Sequence, residues 1–550
     1  LLIDEAARRK TLKPADYFTP SWRLEPPELA RQVQAAIDRT ADFESVAKPA
    51  PAAMRAASAV APAIAPAGAP ATVLRIISTN DFHGALEAHP DGNAGNRGGA
   101  AQFATVIRRL QQECTGTCAS VLVDGGDEFQ GTPASNLAFG RPVLAVFNAL
   151  GFAAAAIGNH DFDWGEDTLR ARMREARYGM FAANITDAAG RAVPWIRPDT
   201  IVERGGIRVG IIGLATIATP ATTKAANVAD LRFHRAASIV TARAKDLRAR
   251  GADVVIVVAH AGASCGNGAC SGELADLAAG AAGIDAIAGG HTHNEFTAVI
   301  AGVPEMRARS SGRSVAYLDL PVDSASRRGI EPKIVYVGTD TVPPDPEIAR
   351  IVASATASVR ALVDRPIATV GETLHRTGSQ YPLGNLIADA QRAATGADVA
   401  VMNNGGIRTD LRAGAATYGS FFELQPFGNM LVRVTVTGAE LRDYLEHLVR
   451  GRTPASHVSG ATITYDPEKR PGERIVRVTV GGRPLDPAAQ YTLAMSDFMA
   501  TTPDGLSIPR MEQRVESLGV VDLDALIDYV KALPGGVVRA DPTVRITPVP

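Results

Sequence analysis

The chain has 550 residues, more than a single hydrophobic core normally organises, so at least two domains are expected. Its formal net charge of −2 speaks against a broad nucleic-acid or anionic-membrane surface, which would need a basic excess, but leaves room for a local basic pocket. The apolar fraction of 46% is that of a globular chain.

Residues 1–70 read as a peripheral segment. A short helix is predicted at 28–40, followed by an Ala/Pro-rich stretch in which Pro51, Pro62, Pro66 and Pro70 favour polyproline II over helix. No segment reads as a transmembrane helix. The chain begins with Leu, so a signal peptide either precedes it or starts near Met54, and both readings stand.

The pattern changes at Val73. A strand, Val73-Leu-Arg-Ile-Ile77, runs into Ser-Thr-Asn-Asp81-Phe-His83-Gly. The same arrangement then recurs. Val121-Leu-Val123 runs into Asp-Gly-Gly-Asp127, and the run 154–157 into Gly-Asn159-His160-Asp161. Further on, 254–258 runs into Ala-His260, and 284–288 into Gly-Gly-His291-Thr-His293. Helices are predicted between these runs, at 102–112 and 236–250. Buried strands alternating with helices imply a layered α/β domain over 71–342, whose ligands bind beyond the strand carboxyl ends. All five polar clusters fall there.

The four cysteines form two close pairs, Cys114/Cys118 and Cys265/Cys270. Of three connectivities the two local bridges are simplest, which implies an oxidising compartment; four reduced thiols are the alternative. Neither pair has the C-x₂-C spacing of a structural zinc site. After Pro343-Pro344 a linking helix is predicted over 343–365, ended by Arg365-Pro366. A second domain, 366–550, has predicted strands at 399–402, 430–436 and 475–480.

Five of the ten histidines (His83, His160, His260, His291 and His293) lie in the strand-end clusters with Asp81, Asp127 and Asn159. A single histidine in such a place is commonly a solvated loop residue, but five together point to a metal centre. Imidazole, carboxylate and amide donors without thiolate suit Zn, Mn, Fe, Co or Ni. So many ligands fit two divalent ions better than one, with Asp127 as the bridge. Two ions about 3.5–4 Å apart suit in-line phosphate hydrolysis.

At these residues the sequence resembles the calcineurin-like metallophosphoesterases. The motifs are Asp81-Phe-His83, Gly126-Asp127, Gly158-Asn-His160, His260 and Gly290-His-Thr-His293. The resemblance covers 73–342 and implies a four-layer metallophosphoesterase β-sandwich flanked by helices. It assigns Asp81, His83 and His293 to one ion, Asn159, His260 and His291 to the other, and Asp127 to both. His160 is then a transition-state stabiliser or acid rather than a ligand, oriented by Asp163 three residues on.

The second domain resembles the C-terminal, substrate-binding α/β (α+β) domain of the 5′-nucleotidase family. The matching segments are Asn403-Asn-Gly-Gly-Ile-Arg408, Gln425-Pro-Phe-Gly-Asn429, Asp497-Phe498, Pro503-Asp-Gly505 and Leu383-Gly-Asn-Leu-Ile-Ala-Asp389. The resemblance implies that Phe427 and Phe498 sandwich the base, Arg408 binds phosphate, Asn403 and Gly406 contact the base, and Asp504 a ribose hydroxyl. Aromatic faces stack on any base, and guanidinium forks onto phosphate oxygens. The family often has an arginine pair before Leu-Gly-Asn-Leu; here Arg376 stands alone, displaced by one residue. Asn404 replaces a glycine common in relatives.

The expected function is hydrolysis of nucleoside 5′-monophosphates by a periplasmic or secreted monomer or weak dimer, with no nucleic-acid polymer as partner. The alternatives are wider nucleotide specificity (2′,3′-cyclic nucleotides, di- and triphosphates, nucleotide sugars), the chemistry of sulfur-oxidation proteins that share this fold, and a non-enzymatic nucleotide-binding surface protein.

Overall fold

The computed structural model of the chain describes residues 71–91, 94–266, 269–323, 330–501 and 514–549. The helix predicted at 28–40, most of the Ala/Pro stretch and Asp504 lie outside the described residues. Two compact units divide between Ser358 and Val359, within the helix Pro346–Val363. Asp345 caps that helix, its Oδ1 accepting from the backbone N–H groups of Glu347 and Ile348 at 3.0 and 3.1 Å.

In the first unit two six-stranded sheets face each other across one core. In the first sheet Val73–Thr79 is flanked on one side by parallel Cys118–Asp124, Ala154–Ala156 and Gly179–Phe181. On its other side lie antiparallel Ser314–Pro321 and then Lys333–Tyr336. The second sheet runs Phe296–Ile300, Val303–Arg307, Ala286–Ala288, Val254–His260, Ile207–Ala215, Asp199–Arg204.

Strand periodicity explains why the central runs are apolar throughout. In Val254–His260 every residue is buried. Val254, Ile256 and Val258 point into the inter-sheet core with Leu74, Ile76, Val121 and Val123 of the facing sheet. Val255, Val257 and Ala259 point the other way, against Val240, Ala244 and Leu247 of the helix Ala237–Ala249 and Leu274 and Leu277 of Glu273–Gly280. On the outer face of the first sheet, Arg75 reaches the helix Ala100–Gln112, donating to the Leu110 carbonyl at 3.1 Å. Phe82 packs on Phe103 of that helix and Phe147 of Arg141–Leu150, with ring centroids 5.3 and 5.5 Å away. The layers are therefore helix, sheet, sheet, helix. Cys114 and Cys118 are disulfide-bonded, as are Cys265 and Cys270 in the hairpin Ser264–Gly266/Ala269–Ser271.

The second unit is built on a five-stranded sheet in the order Ser456–Ser459, Val399–Asn403, Gln490–Ser496, Met430–Thr437, Val515–Val521. One face buries Val399, Val401, Val432 and Val434 against Leu441, Tyr444 and Leu445 of the helix Gly438–Leu448. The other carries the helix Pro382–Thr395, where Gln391 Nε2 lies 3.3 Å from Met402 Sδ. Register decides which candidate residues share one end of this sheet. Val399 pairs in parallel with Leu493, and Leu431 antiparallel with Ser496, so Asn403, Asp497 and the segment before Met430 emerge at one end of the sheet.

The inter-sheet core sets the stability of the first unit. Ile256→Ala, at a residue 1% exposed, is expected to cost about 2–5 kcal/mol by transfer and cavity terms. Denaturant unfolding of the full chain measures this.

Candidate metal centre

Five parallel strands, three in one sheet and two in the other, deliver the candidate residues from their carboxyl ends. Asp81 and His83 follow Val73–Thr79, Asp127 follows Cys118–Asp124, and Asn159 and His160 follow Ala154–Ala156. His260 ends its strand, and His291 and His293 follow Ala286–Ala288.

The turns are strained where they carry the candidate residues. Among the described residues eight non-glycine positions have positive φ, and five are Asp81 (48°), His83 (52°), Asp127 (60°), His291 (73°) and His293 (62°). Such a conformation costs on the order of 1–3 kcal/mol per residue and persists only where the surroundings over-determine it. The surroundings do so here. Asp81 N donates to Gly126 O at 2.9 Å, and His83 N to Asp127 O at 3.0 Å. His291 N donates to both carboxylate oxygens of Asp81, at 3.1 and 2.9 Å.

The donors converge in two groups. In the first, His83 Nε2 and His293 Nε2 are 3.0 Å apart, and His293 Nε2 is 3.4 Å from Asp81 Oδ1. In the second, His260 Nε2 lies 3.1 Å from Asp127 Oδ2 and 2.9 Å from Asn159 Oδ1, while His291 Nδ1 is 3.1 Å from the same amide oxygen. Asp127 Oδ2 is also 3.8 Å from His83 Nε2, so one carboxylate oxygen faces both groups. Asp81, His83 and His293, and likewise Asp81, Asp127 and His260, have mutually close ligand atoms.

The chemistry of the set fits divalent ions. His83 Nδ1 is bonded to Gln130 O and His260 Nδ1 to Gly125 O, each at 2.8 Å. A ring nitrogen beside a carbonyl must carry a proton, so in the neutral ring that binds an ion each Nε2 is a lone pair turned inward. Asn159 Nδ2 donates to Thr222 O at 3.0 Å, fixing its oxygen toward the two histidines. Asp81 and Asp127 are 0% and 1% exposed, and burying such charges requires compensation. Burial drives the Asp81 carboxyl up to about 6. For Asp127 burial acts the same way, but His260, His160 and His83 outweigh it and hold that carboxyl well below the usual range. His260 is pulled down by burial yet pushed up to about 10 by Asp127 and Asp81.

His160 sits beside this group in a different attachment. Its backbone N donates to Asp127 Oδ1, and its Nδ1 to Asp163 Oδ2, both at 2.8 Å. Asp163 Oδ1 in turn accepts from Thr223 Oγ1 at 2.7 Å, and Asn227 donates to the carbonyls of Phe162 and Asp163 at 2.9 Å. The imidazole is thus oriented through Asp163, the arrangement of an acid–base group.

The comparisons with known proteins follow this division. The family model for calcineurin-like phosphoesterase matches residues 74–295, and that for the 5′-nucleotidase C-terminal domain matches 359–511. A solved 5′-nucleotidase precursor from Thermus thermophilus superposes with a TM-score of 0.77 at 27% identity, covering 87% of this chain and 99% of that one. The chain carries a calcineurin-like phosphoesterase domain and a 5′-nucleotidase C-terminal domain.

By class it is a metal-dependent phosphoester hydrolase. Curated proteins similar to it include Protein UshA of Yersinia enterocolitica, 26% identical over 83% of this chain and 90% of that protein. Snake venom 5′-nucleotidase of Naja atra is 26% identical over 84% of this chain and 96% of the venom protein. Endonuclease YhcR of Bacillus subtilis is 29% identical over 84% of this chain, which spans 40% of that longer protein. Sulfate thiohydrolase SoxB of Thermus thermophilus, at 18% identity and a TM-score of 0.72, shares the fold. No helix among the described residues is long and apolar enough to cross a membrane.

In the second unit the residues that match the 5′-nucleotidase pattern also gather. Asn403 ends its strand and Gly406 lies in the following turn Asn404–Gly406, where a Cβ would stand 2.9 Å from Asn403 Oδ1. Arg408 carries its guanidinium 5.5 Å from the Phe427 ring centroid, and Arg376 Nη1 donates to Arg408 O at 3.1 Å. Phe498 follows Asp497, whose Oδ1 accepts from Met430 N at 3.1 Å, at the same end of the sheet.

Sequence reasoning missed a supporting layer. Asp124 accepts from Thr79 Oγ1 and, at 2.7 Å, from Gly126 N; Asp161 Oδ2 accepts from Gly158 N at 2.8 Å. These hold the Gly-Gly-Asp and Gly-Asn-His turns. Both lay inside the quoted motifs, and an aspartate two or three residues from a turn glycine is the local signal. Thr222 and Thr223 gave no signal, since their contacts cross about sixty residues.

Gly158 is sterically required: a Cβ there would lie 2.0 Å from Asp127 Oδ1 and 2.4 Å from Asp127 N. Gly158→Ala is expected to displace Asp127 and lower bound metal by at least one equivalent, as elemental analysis of the purified protein would register.

Proposed function

We propose that this chain hydrolyses nucleoside 5′-monophosphates to nucleoside and inorganic phosphate, at a two-ion centre, in the periplasm or outside the cell. The observation that carries the reading is the Asp127 carboxylate facing both donor groups, with the His160–Asp163 pair hydrogen-bonded beside it. Asp81, His83 and His293 would hold one ion and Asn159, His260 and His291 the other. When bound, two divalent ions neutralise charge on the phosphoryl oxygens and activate water for in-line attack. His160 donates a proton to the leaving ribose oxygen, and Asp163 keeps the ring turned for that transfer. Phe427 and Phe498 stack on the base, Arg408 holds phosphate, and Asn403 and Gly406 meet the base edge. Arg376 and Asp504 are assigned to phosphate and ribose by sequence pattern alone. The two disulfides, together with a cell wall protein of Listeria monocytogenes and venom nucleotidases among the relatives, support a location outside the cytoplasm.

The decisive assay is phosphate release from adenosine monophosphate and from an aryl phosphate by metal-loaded protein. Turnover of the aryl phosphate with none of any nucleoside monophosphate would refute the substrate assignment. Asp127→Asn should abolish turnover and reduce bound metal. His160→Ala should keep its metal and lose about 10²–10⁴-fold in nucleotide turnover; a fall in metal content instead would make His160 a ligand.

Phe427→Ala and Phe498→Ala should each raise the nucleotide KM about 5- to 150-fold, since stacking is worth roughly 1–3 kcal/mol per base. The aryl phosphate, which needs no base sandwich, should be turned over at nearly the original rate. Equal losses on both substrates would place the two rings outside base recognition.

A further inference from the structure

Arg307 is a fully buried arginine on the edge-side strand Val303–Arg307 of the second sheet. That strand runs parallel to Ala286–Ala288, from whose end the turn Gly290-His291-Thr292-His293 departs. The Arg307 Nε donates to Asn294 O at 3.1 Å, and its Nη2 to Ala263 O at 2.8 Å. Asn294 directly follows His293, and Ala263 lies three residues after His260. One guanidinium therefore ties together two chain segments that leave the sheet carrying His260, His291 and His293.

The neighbourhood is shaped around it. The guanidinium carbon lies 5.0 Å from the Phe296 ring centroid, a cation–π contact just beyond the turn. A Cβ on Gly262 would stand 2.6 Å from Nη1 and 2.5 Å from Thr292 Cγ2, so only glycine there lets the guanidinium and the turn approach so closely. Glu305, two residues earlier and thus on the same face of the strand, is fully buried with neither carboxylate oxygen hydrogen-bonded among the described residues. Burial pushes the Glu305 carboxyl up to about 7, and the nearby Arg307 charge draws it back only in part.

His291 and His293 both adopt positive φ, and each needs restraint from outside the turn. His291 has it from the Asp81 carboxylate. At the far end His293 O accepts a longer bond, 3.3 Å, from Ser310 N, and the next carbonyl is the one Arg307 holds. We infer that Arg307 is a positioning residue of the metal centre: its guanidinium fork clamps the His291–His293 turn to the segment after His260 and so keeps three imidazoles in ligating geometry. A guanidinium has donors only and cannot ligate an ion, so Arg307 acts through the backbone of the turn. A lysine keeps the charge but not the planar fork that reaches two diverging carbonyls.

The inference rests on the reading of the site as a metal centre, and the test separates the two. Metal-stripped full-length protein is titrated with Zn²⁺ and, separately, Mn²⁺ against a competing chelator, below the melting temperature of each variant. Arg307→Met is expected to bind about 10- to 100-fold more weakly, the usual effect of losing an outer support of a ligand. Arg307→Lys should fall between it and the parent, and it remains informative if Arg307→Met does not fold. Leu247→Ala, a buried helix position away from the turn, is the control: its melting temperature should fall while its metal affinity stays within about twofold.

Unchanged affinity in folded Arg307→Lys and Arg307→Met would overturn the inference. So would an affinity loss that Leu247→Ala reproduces at the same loss of melting temperature, since the role would then be general stability. Absence of stoichiometric metal from the parent protein would overturn the metal-centre reading, and this inference with it.

Discussion

The first unit is organised around two carboxylates, Asp81 and Asp127, that are buried where strands from two sheets end. A buried carboxylate must be paired or ligated, and the imidazoles needed to do so come from separate parts of the chain. The Asp127 carboxylate has both of its oxygens engaged. Oδ1 accepts the backbone N–H of His160, and Oδ2 faces His260 at 3.1 Å and His83 at 3.8 Å. Four of the five clusters therefore depend on where this one side chain stands, and Gly158 exists to leave it room.

The fold supplies that convergence without placing any candidate ligand on a long loop. Parallel strands deliver their carboxyl ends in common, and the inter-sheet core of Leu74, Ile76, Val121, Ile256 and Val258 fixes the sheets against each other. The turns that follow are short, and short turns that aim a side chain back over a sheet run into left-handed backbone. That is the physical origin of the strain at five candidate ligand positions. The strain is held by a layer of hydrogen bonds from Asp124, Asp161, the Gly126 carbonyl and Arg307.

The second unit gathers its candidate residues by the same device. Its polar and aromatic residues leave one end of a five-stranded sheet, where Asn403 follows a strand parallel to Gln490–Ser496 and Phe427 precedes an antiparallel one. Arg408 lies over Phe427, so the charged and aromatic groups are already in contact within this unit.

The sequence by itself determined the layered α/β class and the strand-end positions of the ligand candidates, and it made local bridges the simplest of three pairings for the cysteines. Each of these depends on short-range patterning. Strands such as Val254–His260 are apolar along their whole length because both faces are buried, and His260 stands at the end of such a run. The Asn-His-Asp-Phe-Asp segment gave the His160–Asp163 contact because three residues separate the pair in one turn. What only the tertiary structure decided is which atoms meet. The Thr222 carbonyl turns the Asn159 amide, Thr223 bonds Asp163, and Arg307 joins the segments after His260 and His293. Those partners lie tens of residues apart and belong to no motif. Their meeting is set by sheet packing and strand register, and no local pattern of residues records it.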